Sequence, residues 1–328
     1  MTVGADHELS AAARGSSTHQ IPEDAGMARP SRGMKLRGLD RIVPAQRAVE
    51  GGGFEVFRPF PTAVLDLLDP FLLLDEMAPK YTPPGSPPIG APDHPHRGFE
   101  TVTYMLAGEA EHRDSAGNHG IIGPGDVQWM TAGDGIVHSE MPSEWFQTEG
   151  GLSHGLQLWI NLPREAKRAA PRYQALPAAE LATAEGDGWH ANVVAGELLG
   201  AKGPAESHTP VGFARLTVKP GTELDIDVPD GQTAAVYAFA GSSTVGAAAG
   251  RLDAHQIAVF ERSTGAIRVA VDAEAAEPLD AIVLTGKPLN EPVARYGPFV
   301  MNTKSEILEA IEDFNAGRMG SIPAVGTL

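Results

Sequence analysis

The spacing of the chain-breakers restricts this sequence most. With 38 Gly and 27 Pro among 328 residues, turn formers interrupt the chain every few positions, and helices of ordinary length have little room. From Met34 onward, short runs rich in Val, Ile, Leu, Thr, Phe and Tyr recur between Gly, Pro, Asn and Asp clusters: "FETVTYML", "HGIIGPGD", "DVQWMTAGDG", "GIVHSEM" and "HGLQLWINL". This rhythm predicts an antiparallel sandwich or barrel. The segment "PREAKRAAPRYQALP" breaks the rhythm and reads as a linker. A second series follows, with "VGFARLTVKPG", "TELDIDVPDG", "TAAVYAFAG", "DAHQIAVFERSTG", "AIRVAVDA" and "LDAIVLTG". Two β-rich halves of similar size suggest a duplicated architecture, although no literal repeat is visible.

One helix stands out in "NTKSEILEAIEDFNAG". Thr303 and Glu306 have the spacing of a capping box, Ile307, Leu308, Ile311 and Phe314 form an apolar stripe, and Gly317 suits a left-handed C-terminal residue. Residues 1–33, rich in Ala, Gly, Ser and Pro, cannot offset the entropy of ordering and are expected to form a flexible tail. The expected organisation is therefore a tail at 1–33, one barrel at 34–165, a second at 166–300, and a C-terminal helix and tail at 301–328.

The formal net charge of −17 disfavours direct nucleic-acid binding and attachment to an anionic membrane surface, because both need clustered cations. No apolar run approaches the ~20 residues of a spanning helix, and the N-terminus lacks a signal-peptide core. Cys is absent, so any metal must be held by His, Asp or Glu. A cytoplasmic protein is the expectation.

The stretch "DHPHRGFE" places His94 and His96 two residues apart, so in a strand both project to one side. Pro95 between them suits a strand edge and stiffens the pair. "GIVHSEM" repeats the spacing with His138 and Glu140. If both pairs face the interior of one barrel, three imidazoles and a carboxylate converge into a set suited to a borderline divalent metal. An isolated HxH pair is as readily a surface feature; the second pair tips the balance. Glu100, by parity counted from His96, should also face the site and competes with Glu140 for the carboxylate role. His112 and His119 flank the turn "DSAGN" and are expected on its exposed ends. His154 opens an apolar strand and reads as core or as a neighbour of the ligands. Gln128 and Met130 share a strand face near the site, Met130 also fitting ordinary core, while Trp129 points the other way. The proline-rich "KYTPPGSPPIGAP" reads as a stiff rim or a plain surface connection.

The run "HPHRGFETVTYMLAGEAEHRD", followed by "GPGDVQWMTAGDGIVHSEMP" and "HGLQLWINLP", resembles the pirin family of bicupin proteins, and "RYGPFVMNT" resembles its C-terminal segment. The resemblance implies an all-β fold of two cupin (jelly-roll) barrels packed together, with a short C-terminal helix and a single metal in the N-terminal barrel. It implies His94, His96, His138 and Glu140 as ligands, with Glu100 a neighbour, and Fe(II) as the expected ion, although Mn, Ni, Co, Cu or Zn would suit the same donors. The usual cupin pattern has a His soon after the "PGD" turn, where this chain has Gln128. The second half contains only His190, His208 and His255, with no HxH or HxE pair, so its barrel is expected to be metal-free. Quercetin 2,3-dioxygenase-like chemistry is implied: a flavonol or other chelating aromatic substrate opened by O2, with Glu140 as the base. The alternative is a non-enzymatic, metal- or redox-responsive regulator acting through a protein partner.

Overall fold

A computed structural model describes residues 35–323; the expected tail at 1–33 and the last five residues lie outside them. Each half is a double-sheet β-barrel, so the fold is all-β with two packed jelly rolls and a C-terminal helix, as expected. In the first barrel a seven-stranded sheet runs, by neighbouring strands, Arg172–Leu176, Val127–Thr131, Phe99–Ala107, Gly151–Asn161, Phe71–Thr82, Phe54–Phe60 and Gln46–Glu50. Opposite it lies a four-stranded sheet of Ala91–His96, Ile136–Pro142, Ala110–Asp114 and His119–Ile122. The second barrel has the same plan, seven strands against four.

Sheet membership does not follow chain order at the ends of the halves. Leu39–Pro44 pairs with Gln256–Phe260 in the second barrel, and Arg172–Leu176, inside the expected linker, pairs with Val127–Thr131 in the first. Buried Arg37 adds to the first crossing by donating to the carbonyls of Gly265, Gln232, Val228 and Pro229.

Alternation along each strand sorts the side chains into three layers. Leu74, Tyr104, Trp129, Leu156, Leu158 and Ile160 of the first barrel pack against Tyr237, Phe239, Ile257, Ile282 and Leu284 of the second, giving one continuous core between the two large sheets. Trp129 therefore lies in this layer, as its strand position suggested. The interior of the second barrel is filled by small and branched apolar residues, among them Ala191, Ala214, Ala234, Val236, Leu216 and Ile267.

The C-terminal helix spans Lys304–Asn315 and carries the full capping box: Thr303 accepts from the Glu306 amide, and the Glu306 carboxylate accepts from the Thr303 amide. Its buried stripe is narrower than expected. Ile307 and Ala310 pack with Val137, Phe299, Met301 and Met319, whereas Leu308 and Phe314 face solvent. A second, short helix at Glu144–Glu149, capped by Ser143, has no counterpart in the sequence reading. No helix among the described residues is long and apolar enough to cross a membrane.

Lys167 fastens the hairpin before this helix to the first barrel. Its buried ammonium donates to Gly98 O at 2.8 Å, Val300 O at 2.9 Å and Asn161 Oδ1 at 2.5 Å. Burial lowers its pKa to about 7, against the pull of Glu291 and Glu306. An unfolded chain, with lysine near 10.4, therefore binds more protons than the native one between about pH 7 and pH 10, so this residue adds stability as pH rises through that window. Urea unfolding should show the stability of the wild type relative to Lys167→Met increasing from pH 7 to pH 10. A flat difference would mean that Lys167 titrates normally in the fold.

Candidate metal centre

His94 and His96 lie on the edge strand of the small sheet, where Pro95 needs no ladder partner. His138 lies on the adjacent strand directly opposite His94. Alternation turns Val137 outward to the C-terminal helix and His138 inward. The three ring centroids are 4.3, 4.7 and 4.9 Å apart. One nitrogen from each ring falls in a group whose members all lie within 4.8 Å of one another.

The hydrogen bonds decide which nitrogens carry protons. His94 donates Nδ1–H to Pro92 O at 2.7 Å, and His96 donates Nδ1–H to Pro298 O at 3.3 Å. Both Nε2 atoms are then bare acceptors, yet they face each other at 3.1 Å. Buried His138 has no partner on either nitrogen. Two lone pairs at hydrogen-bond distance repel unless a cation lies between them. Protonation is opposed by burial, which pushes His96 and His138 well below the ordinary imidazole range, with the neighbouring imidazoles adding to the effect. A divalent ion with N/O preference fits this donor set, and backbone carbonyls that fix the ring tautomers are the usual support of such ligands.

Glu140, two residues beyond His138, lies outside the mutual 4.8 Å group. Its Oε1 accepts from Thr103 Oγ1 at 2.6 Å and from Gln128 Nε2, and its Oε2 accepts from Gln157 Nε2 at 3.1 Å. It also lines a cavity of about 670 Å³ whose wall includes Thr103, Gln157, Met77, Met105 and Phe146; none of the three clustered imidazoles lines it. The proline-rich segment forms part of the same wall through Pro83, Pro87, Pro88 and Ile89.

The remaining expected site residues are dispersed. Glu100 is buried away from the imidazoles, accepting from Thr131 Oγ1 at 2.8 Å and Ser207 Oγ at 2.5 Å. Met130 packs with Ala132, Ile136 and Tyr173 and is absent from the cavity wall. His154 contributes to that wall, but its Nε2 donates to buried Glu76 at 3.0 Å. His119 is exposed as expected, whereas His112 is buried. His112 stacks on Tyr173 with centroids 4.5 Å apart and meets Asp114 at 3.2 Å, because its strand lies inside the sheet, directly opposite Glu140. Thr103 and Gln157 were missed; a lone inward Gln in the apolar run "HGLQLWINL" was the available signal. Tyr173, within the expected linker, had none.

Two jelly-roll barrels with one convergent histidine cluster, two of its three rings buried, define a bicupin with a single candidate metal centre among the described residues. Family models described as pirin and as the pirin C-terminal cupin domain match residues 53–160 and 213–320. A pirin-like protein of Solanum lycopersicum is 44% identical over 279 residues, covering 85% of this chain and 91% of its own. Pirin of Mus musculus is 40% identical over 276 residues, covering 83% and 90%. A solved quercetin 2,3-dioxygenase from Acinetobacter baumannii superposes with a TM-score of 0.82 at 40% identity, covering 88% of this chain and 100% of that one. The chain belongs to the pirin family.

The donor set predicts a clear result with Ni(II) as a probe. Calorimetric titration of metal-free His138→Ala should show affinity reduced by more than the roughly 10- to 100-fold typical of losing a supporting outer residue. The same substitution tests the protonation argument. Because the folded-state values of His96 and His138 lie below the unfolded value near 6.5, the unfolded chain binds more protons as pH falls past it, and the metal-free fold loses stability. Thermal melts from pH 7 to pH 5 should fall further for wild type than for His138→Ala.

Proposed function

We propose that this pirin is a metal-dependent dioxygenase that opens the central ring of a flavonol, or of a related chelating aromatic compound, with O2 and releases carbon monoxide. The observation that carries this reading is the convergence of three imidazoles, with a cavity-lining carboxylate two residues from His138 on the same strand. Similarity to a solved quercetin 2,3-dioxygenase supports the choice of substrate class. His94, His96 and His138 would hold the ion, with Glu140 the fourth ligand, and Fe(II) is the proposed native metal, Mn, Ni, Co, Cu or Zn suiting the same donors.

A divalent ion held there supplies a Lewis acid that lowers the pKa of a coordinated hydroxyl. The chain's own groups perform the remaining tasks. Met77, Met105 and Phe146 offer an apolar wall for an aromatic ring and exclude water from it. Three neutral imidazoles and one carboxylate leave a divalent ion with net positive charge, which favours an anionic substrate. Glu140, which lines the cavity, would take the hydroxyl proton on a carboxylate oxygen, the role of a general base.

Metal-loaded protein should consume O2 and bleach quercetin, followed with an O2 electrode and by visible absorbance. Glu140→Gln should slow turnover by roughly 100-fold or more while lowering metal content far less. Equal turnover by that variant would remove Glu140 as the base. A metal-loaded wild type that consumes no O2 over a flavonol and catechol panel would sink the enzymatic reading in favour of a protein-binding role.

A further inference from the structure

Glu140 is opposed by a row of donors built into the large sheet of the first barrel. Gln128, Thr103 and Gln157 lie on three adjacent strands and are directly paired in register, Gln128 with Thr103 and Thr103 with Gln157. Strand alternation turns all three into the barrel, and all three donate to the Glu140 carboxylate on the facing sheet. The row is also bonded within itself: Gln128 Nε2 lies 3.2 Å and Gln157 Nε2 3.5 Å from Thr103 Oγ1. Gln128 cannot readily turn its amide over, because its Oε1 accepts from the Tyr173 hydroxyl at 3.4 Å. Its Nε2–H groups are thereby reserved for Glu140 and Thr103.

A purely apolar wall would serve packing better, since each polar side chain facing a barrel interior loses water and must be repaid by a bond. Three such residues in register, all spent on one carboxylate, form a fitted receptor for it. We propose that this row is an off-metal station for Glu140: it competes with the bound ion for the carboxylate, and so sets both how tightly the ion is held and how often Glu140 is free to act in the cavity. This rests on the reading above that the imidazole cluster holds an ion. Thr103, Gln128 and Gln157 are positioning residues in this scheme. A carboxylate that leaves the ion moves onto charge-assisted hydrogen bonds already in place, with no need to recruit water.

The row and the ion draw on the same side chain, so weakening the row must strengthen metal binding, and only while Glu140 is present. Ni(II) affinity of the metal-free protein, measured by competition with a chelator, tests this without substrate or O2. Thr103→Val and Gln157→Leu should each bind Ni(II) about tenfold more tightly than wild type, the effect of deleting one hydrogen bond to a charged group, and Thr103→Ser should match wild type. Glu140→Gln should bind more weakly, and adding Thr103→Val to it should change nothing further. The visible spectrum of the Co(II)-loaded forms gives a second readout, shifting for Thr103→Val relative to wild type but not between Glu140→Gln and its double variant. Affinities of the row variants within twofold of wild type, or a tightening that persists in the Glu140→Gln background, would overturn the proposal. Either result with normal Ni(II) binding by wild type leaves the metal-centre reading standing; a wild type that binds no Ni(II) overturns both.

Discussion

The contact between the two seven-stranded sheets holds the rest of this structure in place. Every strand that contributes Thr103, Gln128 or Gln157 to the interior of the first barrel turns its alternate residues, among them Val102, Tyr104, Trp129, Leu156 and Leu158, into the layer shared with the second barrel. Period-two alternation makes the two faces inseparable: a one-residue slip in any of these strands would bury a donor between the sheets and put Trp129 or Leu156 against Glu140. The apolar layer therefore fixes the register of the polar row. In this sense the second barrel, which has no histidine cluster among its described residues, acts on the site in the first.

Glu76 reinforces that contact. It is fully buried at the junction and accepts from His154 Nε2 at 3.0 Å, Tyr237 Oη at 2.6 Å and His255 Nδ1 at 2.8 Å, the first from its own barrel and the other two from the second. An isolated carboxylate in such a layer would be severely destabilising, and removing one partner of a buried charge costs far more than the interaction contributes net. The three bonds that Glu76 accepts, one from its own barrel and two from the other, tie the barrels together in this arrangement. Burial and the nearby Glu76 charge push the Tyr237 hydroxyl well above its ordinary pKa, so it remains a donor throughout the neutral range. His255, which stacks on Phe57 of the first barrel at 3.9 Å, closes the edge of the junction.

Much of this was legible because it is local. The strands and the capping box follow from residues within a few positions of one another, and the two HxH and HxE spacings predict that each pair shares a side. What failed was parity carried across a break. Glu100 sits four residues after His96, which in one continuous strand would align them. Gly98, at φ +89°, turns the chain from the small sheet to the large one between them, and a Cβ there would lie 2.0 Å from Val300 O. Counting across that corner inverted the answer, and Glu100 faces the second half of the chain. His112 was misplaced for a related reason. Its turn begins two residues later, at Asp114, whose carboxylate accepts from the amides of Ala116 and Asn118, while His112 itself is paired on both sides within its sheet. Tyr173 depends on a pairing some 45 residues away in the chain, for which a five-residue strand next to a proline carries no local signal.

The contrast between the two barrel interiors follows from the same physics. Where Ala191, Ala214, Ala234 and Val236 meet branched neighbours, the second barrel fills its own interior with buried apolar side chains. At positions on the large sheet of the first barrel stand Thr, Gln and Gln, and on the facing sheet His and Glu. The carboxylate finds its partners in that row, but the Nε2 atoms of His94 and His96 cannot bond to each other without a cation, since both are acceptors. Such an interior is a poor source of stability and would relax toward collapse if its walls were free to move. Its walls are not free: one is the back of the shared apolar layer, and the other is held from outside by Val137 and the C-terminal helix packed upon it. The filled barrel and the helix supply the rigidity that lets the hollow barrel keep unsatisfied lone pairs pointed at a single place.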